Sequence, residues 1–214
     1  MSEKFNPIFV VGDGGFAAEV FNWVCSSVGR TPDGFVVKDK LNSKSPIADA
    51  KSFVQDDLLS IKADLYIAIG NPSIRSRVAM ELKQFSNFNF PNLVHSTAII
   101  GQNIEMGQGN LLLPFSIICP LVKLGSFNIL NLYSSIGHEG VIGNFNTLSP
   151  YATLSGCAHT EDLCFIGSHA TLGPGVKMKN KSQLAANSFG SKDIPENGLA
   201  FGVPAKVVGR ESCR

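Results

Sequence analysis

Few residues in this 214-residue chain are typed and spaced to move a proton, attack a carbonyl or hold a metal. Of the four histidines, His95, His138, His159 and His169, only His138 is followed by a carboxylate, Glu139, and it closes the run Ser134-Ser135-Ile136-Gly137. A free imidazole titrates near neutrality and can accept a proton there. An adjacent carboxylate can orient the ring and stabilise the imidazolium as it forms. The pair also suits a surface histidine beside a surface glutamate, and spacing alone favours that reading. The last three histidines are separated by 21 and 10 residues, not the close H-x-x-x-x-H pair of a three-histidine metal site, so no metal is expected. Cys157 has no paired histidine at a recognisable spacing, so cysteine nucleophile chemistry is not indicated.

A second candidate lies near the N-terminus. Pro7 to Val11 reads as a buried strand, followed by Gly12-Asp13-Gly14-Gly15-Phe16-Ala17 and an amphipathic stretch through Glu19, Val20, Trp23 and Val24. Strand, glycine turn and helix in G-x-G-x-x-A spacing let backbone N–H groups approach a phosphate at a helix N-terminus. Glycines that merely pack helix against strand give the same pattern. A half-site of this size suits a nucleotide diphosphate carried on a sugar better than a dinucleotide, which needs two such halves.

The elements that position these residues follow from a repeat. Stepping by six from Ile100 to Leu184 meets fifteen positions, of which all but Thr160 are aliphatic. Glycine follows at 101, 107, 125, 137, 143, 167 and 173, and small residues such as Ala98, Ser116, Ser134, Ala152, Cys164 and Ser182 sit two places before the aliphatic. Neither the 3.6-residue period of a helix nor the 2-residue period of a strand gives a strict six. A triangular coil does: each hexad supplies one short strand and one corner. The aliphatic fills the interior, the small residue fits the corner, and glycine is expected to supply permissive backbone at the turn. Fifteen hexads make five turns, ~24 Å tall at the strand spacing of a sheet. The register is unbroken from Ala98 to Leu184, so no long loop is expected there. His138 falls at an outward corner.

The first 90 residues lack this period. Strands at Gly34–Val37 and Leu65–Ile69, then Gly70-Asn71-Pro72 and a helix carrying Ile74, Val78 and Leu82, complete a βαβ unit with a further strand and helix. The fold expected is an N-terminal α/β half-Rossmann of parallel strands over residues 1–90, then a left-handed parallel β-helix of hexapeptide repeats over 91–214. Eighteen Lys+Arg against 17 Asp+Glu leave a net charge of +1, which favours neither nucleic acid nor a membrane surface. No apolar run reaches the ~18 residues of a spanning helix and no signal peptide is read, so a cytoplasmic location and five reduced cysteines are expected.

Four motifs in order carry a resemblance: Val10-Val11-Gly12-Asp13-Gly14-Gly15-Phe16; Ala68-Ile69-Gly70-Asn71-Pro72-Ser73-Ile74-Arg75; Ile136-Gly137-His138-Glu139; and Phe201-Gly202-Val203-Pro204-Ala205-Lys206. Over nearly its whole length the chain resembles the sugar O- and N-acetyltransferases that include the sialic acid O-acetyltransferase and the acetyltransferases of bacillosamine, perosamine and viosamine biosynthesis. The resemblance implies acetyl transfer from acetyl-CoA to a nucleotide-linked amino sugar, with His138 as base and Glu139 as its partner. It implies sugar contact at Asn131, a thioester oxygen held by the Gly156 amide, and pantetheine near Ser168 and Ala186. The turn Gly202, Val203, Pro204 and Ala205 would border the CoA nucleotide. The sugar's nucleotide would lie on Gly12 to Phe16 and near Asn71, with Asp39 the first acidic residue after the second strand. Some relatives carry a histidine where Phe16 stands, and another where Thr147 stands, a position counted here with the acetyl-CoA site. A homotrimer with active sites between subunits is implied. Transfer to a sugar hydroxyl, or nucleotide-sugar binding without catalysis, are the other readings.

Overall fold

The computed structural model describes residues 5–38, 47 and 50–208. Asp39 lies outside the described residues. In the N-terminal part, β1 (Ile8–Val11), β2 (Gly34–Val36), β3 (Ser52–Phe53), β4 (Ala63–Ile67) and β5 (Phe88–Asn89) form one parallel sheet in the order β3-β2-β1-β4-β5. Helix α1 (Gly15–Val28) joins β1 to β2 and buries Ala17, Val20, Phe21 and Val24, the i, i+3, i+4, i+7 stripe of an amphipathic helix. Gly29 ends it in the left-handed conformation (φ 71°). Helix α2 (Pro72–Leu82) starts at Asn71, whose side-chain oxygen accepts the Ile74 N–H at 3.1 Å. Strand order reverses at β1, so β1 and its two neighbours open a crevice at their carboxyl ends.

The chain leaves this sheet at Asn89 and enters the next at Leu93–Val94, which pairs with Leu111–Leu112. Three sheets of two-residue strands follow, forming the sides of a prism, each strand pairing in parallel with the one 18 residues on. The inward aliphatics, among them Leu112, Ile118, Leu124, Leu130, Ile136, Ile142, Leu148 and Leu154, are 0–3% exposed and form one continuous core. A hairpin, Leu199–Gly202 against Ala205–Val208, closes the C-terminal end.

Each corner turns on a left-handed residue three places before the aliphatic, and most are not glycine: Tyr133, Glu139, Phe145, Tyr151 and Cys157 have φ of 57–61°. Strain of that kind persists only where the surroundings fix it. Here the corner amides bond to the coil below, Glu139 to the Pro120 carbonyl at 3.1 Å and Cys157 to that of His138 at 2.8 Å. The expectation that the repeated glycines turn the chain is therefore corrected. They are needed because coils stack too closely for a side chain: a Cβ on Gly137 would come within 2.5 Å of the Gly156 nitrogen, and one on Gly125 within 2.5 Å of the Gly143 oxygen.

Thr160, the exception in the aliphatic series, is fully buried, and its hydroxyl has no hydrogen-bond partner among the described residues. An asparagine ladder runs up one corner. The side-chain oxygens of Asn92, Asn110, Asn128 and Asn146 each accept the backbone N–H of the residue 18 further on, at 2.7–2.8 Å, the last from Cys164.

The two parts share a core, in which Val10, Ala17 and Phe35 pack in one cluster with Leu93, Leu111, Leu113 and Ile129. A buried cation joins them. Arg75 of α2, 1% exposed, donates to the carbonyls of Ile69 (2.6 Å), Gly70 (3.1 Å), Phe127 (2.9 Å), Phe145 (2.7 Å) and Asn146 (3.0 Å) and to the Thr147 hydroxyl (2.9 Å). Burial pushes its pKa down to about 9, still above neutrality, so the guanidinium stays charged with carbonyl dipoles in place of a carboxylate.

Candidate functional site

The prism has three corners, and each is occupied differently. Phe127 and Phe145, stacked at 5.2 Å, sit on the corner that the N-terminal part covers. Phe115, Tyr133, Tyr151 and His169 form an exposed column of parallel rings on the second, with centroids 4.6–4.9 Å apart. Glu139 and Cys157 stand one above the other on the third, with His138 beside them.

Here the local backbone explains the geometry. Glu139 takes the left-handed turn, so its side chain and that of His138 both point off the edge, half exposed or more. His138 Nδ1 lies 2.9 Å from Glu139 Oε2. An ionised carboxylate only accepts hydrogen bonds, so the ring proton belongs on Nδ1 and the lone pair on Nε2. That free nitrogen lies over Gly156, one coil up: a Cβ on Gly156 would come within 2.5 Å of it. Gly156 is thus the residue that lets the imidazole lie flat against the next coil. Its amide, next to the Cys157 N–H that bonds the His138 carbonyl, donates to no backbone carbonyl among the described residues. The Cys157 thiol sits 3.7 Å from Glu139 Oε2, and desolvation together with that carboxylate raises its pKa. The 18-residue coil therefore gives Cys157 neighbours that no familiar spacing announces.

The other site residues are dispersed. Asn131 bonds the Leu132 N–H through its own side-chain oxygen and lies, with Ser168 and Ala186, on the corner of stacked aromatic rings, one strand away from His138. One chain does not bring them together with His138. Thr147 is buried in the seam between the two parts, its hydroxyl shared between Arg75 and the Gly70 carbonyl (2.9 Å), so it is withdrawn from the surface acetyl-CoA site to which it was assigned. Arg75, quoted above only as part of a motif, is the seam's centre.

At the N-terminal end, Gly12 is left-handed (φ 139°), and a Cβ there would meet the Ala68 carbonyl at 2.9 Å. Gly14 and Gly15 face open space instead, with no atom within 4 Å of an added Cβ. Packing explains glycine at 12 but not at 14 or 15. A cleft of about 790 Å³ opens at the switch point, walled by Gly12, Asp13, Val37, Lys38, Ile74 and Arg77, among others. This cleft is not at His138, whose side chain stands exposed on a corner of the prism. A second cleft of about 340 Å³ lies by the C-terminal hairpin, walled by Lys192, Pro204, Ala205 and Lys206. Gly202 and Val203 border the same turn, which contains a cis Val203–Pro204 bond.

With this geometry in view, the fold can be compared with known proteins. A variant of perosamine N-acetyltransferase from Caulobacter crescentus, solved with CoA and GDP-perosamine, superposes with a TM-score of 0.88 over 98% of this chain and 100% of its own, at 22% identity. WeeI from Acinetobacter baumannii gives 0.87 over 95% and 100%, at 24% identity. The acetyltransferase domain of PglB from Neisseria gonorrhoeae gives 0.84 over 95% and 100%, at 22% identity. At these identities the likeness is one of fold: an α/β N-terminal part on a left-handed parallel β-helix. Among curated proteins, galactoside O-acetyltransferase of Escherichia coli K12 is 46% identical over 44 residues, 21% of this chain and 22% of that protein. No protein-family model matches the chain.

Proposed function

We propose that this chain is an acetyltransferase that moves the acetyl group of acetyl-CoA directly onto the amine of a nucleotide-linked amino-deoxy sugar. The observation that carries the reading is the His138–Glu139 pair, with Nδ1 held at 2.9 Å and the free Nε2 lying over Gly156. In this reading His138 Nε2 takes the proton as the sugar amine attacks the thioester carbonyl. Glu139 stabilises the imidazolium, and the Gly156 amide receives the developing oxyanion. The carbonyl then re-forms, the carbon–sulfur bond breaks, and the CoA sulfur leaves as thiolate to be protonated.

Residues 1–90 would hold the sugar's nucleotide, with its phosphates at the open side of Gly14 and Gly15 and at the N-terminus of α1. Residues 91–214 would hold acetyl-CoA, with the hairpin cleft beside Pro204 and Ala205 suited to its nucleotide end. A homotrimer fits best. Asn131, Ser168 and Ala186 lie on a different corner from His138, so a neighbouring copy is needed to make a groove from these two edges. Among the described residues no helix is long and apolar enough to cross a membrane, in keeping with a cytoplasmic enzyme.

Thiol release from acetyl-CoA, measured against a panel of nucleotide-linked amino sugars, tests the reading. His138→Asn should lower kcat roughly 10²–10⁴-fold with both substrates still bound. An unchanged rate in a folded variant would refute the base. The stretch shared with a galactoside O-acetyltransferase favours, as a second reading, transfer to a sugar hydroxyl, and the same panel with hydroxyl acceptors decides between them.

A further inference from the structure

The corner that carries His138 has a third donor that the proposed reaction does not use. One nitrogen of His138, one oxygen of Glu139 and the sulfur of Cys157 all lie within 4.8 Å of one another, and all three side chains are exposed. Two of the separations are 2.9 Å (Nδ1 to Oε2) and 3.7 Å (Sγ to Oε2). Zinc bonds nitrogen and oxygen at about 2.0–2.2 Å and sulfur at about 2.3 Å, which puts tetrahedral neighbours roughly 3.5 Å apart. Small rotations of exposed side chains bring this set to that spacing. The cause is the coil itself: an 18-residue step places the corner residue of one coil above that of the last, so Cys157 stands over Glu139, and His138 adjoins it in sequence.

We propose that His138, Glu139 and Cys157 bind Zn²⁺ or a similarly soft divalent cation, as an inhibitory site and not as a cofactor site. A mixed nitrogen, oxygen and sulfur donor set suits zinc, whereas calcium and magnesium require oxygen ligands. The binding step gives the thiol proton to solvent as sulfur bonds the metal. Nδ1 is the nitrogen that faces Glu139 Oε2, at 2.9 Å, and a metal bonded there displaces the Nδ1 proton, so the neutral ring carries its one proton, taken up from solvent, on Nε2. Nε2 would then be a donor, unable to accept a proton from an attacking amine. The cation would thus switch off the base without filling either substrate cleft. This consequence rests on the reading of His138 as the base. The binding itself does not.

The test uses the full-length protein stripped of metal. Binding is read by competition between the protein and a colorimetric zinc chelator, with no substrate present. Co²⁺ is the spectroscopic probe, since a thiolate ligand gives a charge-transfer band. Wild type should take up one zinc per chain at this corner and show the band. Cys157→Ser should lose the band and bind at least tenfold more weakly. His169→Asn, on the corner of stacked rings, should bind zinc as wild type does. Zinc should inhibit acetyl transfer reversibly by EDTA, and Cys157→Ser, active in its absence, should need at least tenfold more for the same effect. Equal zinc affinity in wild type and Cys157→Ser would overturn the site. Tight binding at this corner with no inhibition would overturn the switch and leave the site. Failure to acetylate any sugar would count against the proposed reaction, while the chelator and cobalt measurements would still decide the site.

Discussion

Replacing Arg75 with Met keeps the length of the side chain and removes its charge and donors. Three of its acceptors, the Ile69, Phe127 and Phe145 carbonyls, have Arg75 as their donor among the described residues. Asn146 also accepts from the Ile129 N–H (2.9 Å), and Gly70 from the Thr147 hydroxyl (2.9 Å), so those two are not left bare. A buried carbonyl without a donor costs about 1–3 kcal/mol. Three would cost roughly 3–9 kcal/mol, and releasing the cation from its desolvation returns part of that. A net loss of about 3–5 kcal/mol is expected, a large share of the ~5–15 kcal/mol that holds a typical domain together. At roughly 2–4 °C per kcal/mol for a chain of this size, Tm should fall on the order of 10 °C. Thermal melts followed by circular dichroism measure it. Arg75→Lys should recover only part of the loss, because an ammonium has three donors where the planar guanidinium has five. A fall of less than about 1 kcal/mol for Arg75→Met would mean that the seam is held by its apolar contacts and not by this cation.

Gly156→Ala should lower kcat at least tenfold with Tm almost unchanged, because the three atoms nearest the added methyl all belong to the exposed His138 ring, and steady-state kinetics beside a melt would reveal this. A wild-type kcat would show that the ring's position over the coil does not matter. Thr160→Val replaces a buried, unpartnered hydroxyl with a methyl and should stabilise by about 1 kcal/mol in urea unfolding. A loss of stability would mean that the hydroxyl is paired. His95, buried beside Trp23 with Nδ1 2.8 Å from the Thr97 hydroxyl, has its pKa lowered by desolvation. Well above pH ~6.5 it is neutral in both folded and unfolded chains and contributes no pH dependence. As the pH falls below that, the unfolded chain gains the proton first and stability drops, so His95→Gln should flatten Tm against pH there. Parallel curves for the two proteins would contradict the burial argument.

What the sequence reveals depends on how each feature repeats. The coil is legible because inward sites recur at one phase, so a single departure such as Thr160 stands out against fourteen aliphatics. The His138–Glu139 pair is legible because its members are neighbours in the chain. Cys157 is not, since its place over Glu139 comes from an 18-residue translation that resembles no ligand or triad spacing. Arg75 gathers acceptors up to 72 residues away, from α2's own approach and two successive coils, and no local pattern encodes such a set. The repeated glycines are visible, but their cause is not: close stacking and a permissive turn leave the same mark in a sequence, and only the backbone distances separate them. Asn131, Ser168 and Ala186 are readable as one family's contacts, yet which corner they occupy emerges only when the coils are laid out in space.

The asparagine ladder has a direction, and that matters while the chain is being made. Each side-chain oxygen in it accepts an N–H that lies 18 residues later, so a finished coil presents acceptors waiting for residues not yet added. Asn92 is ready before Asn110 exists, and Asn110 before Asn128. A ribosome delivers residues in that same order, one coil every 18. The prism can therefore grow as a templated edge from its N-terminal end, with the α/β part already in place as a seat for the first coils. Insertions of a whole coil would preserve the sequence of docking steps, whereas any other length would bring the wrong residue to the waiting oxygen.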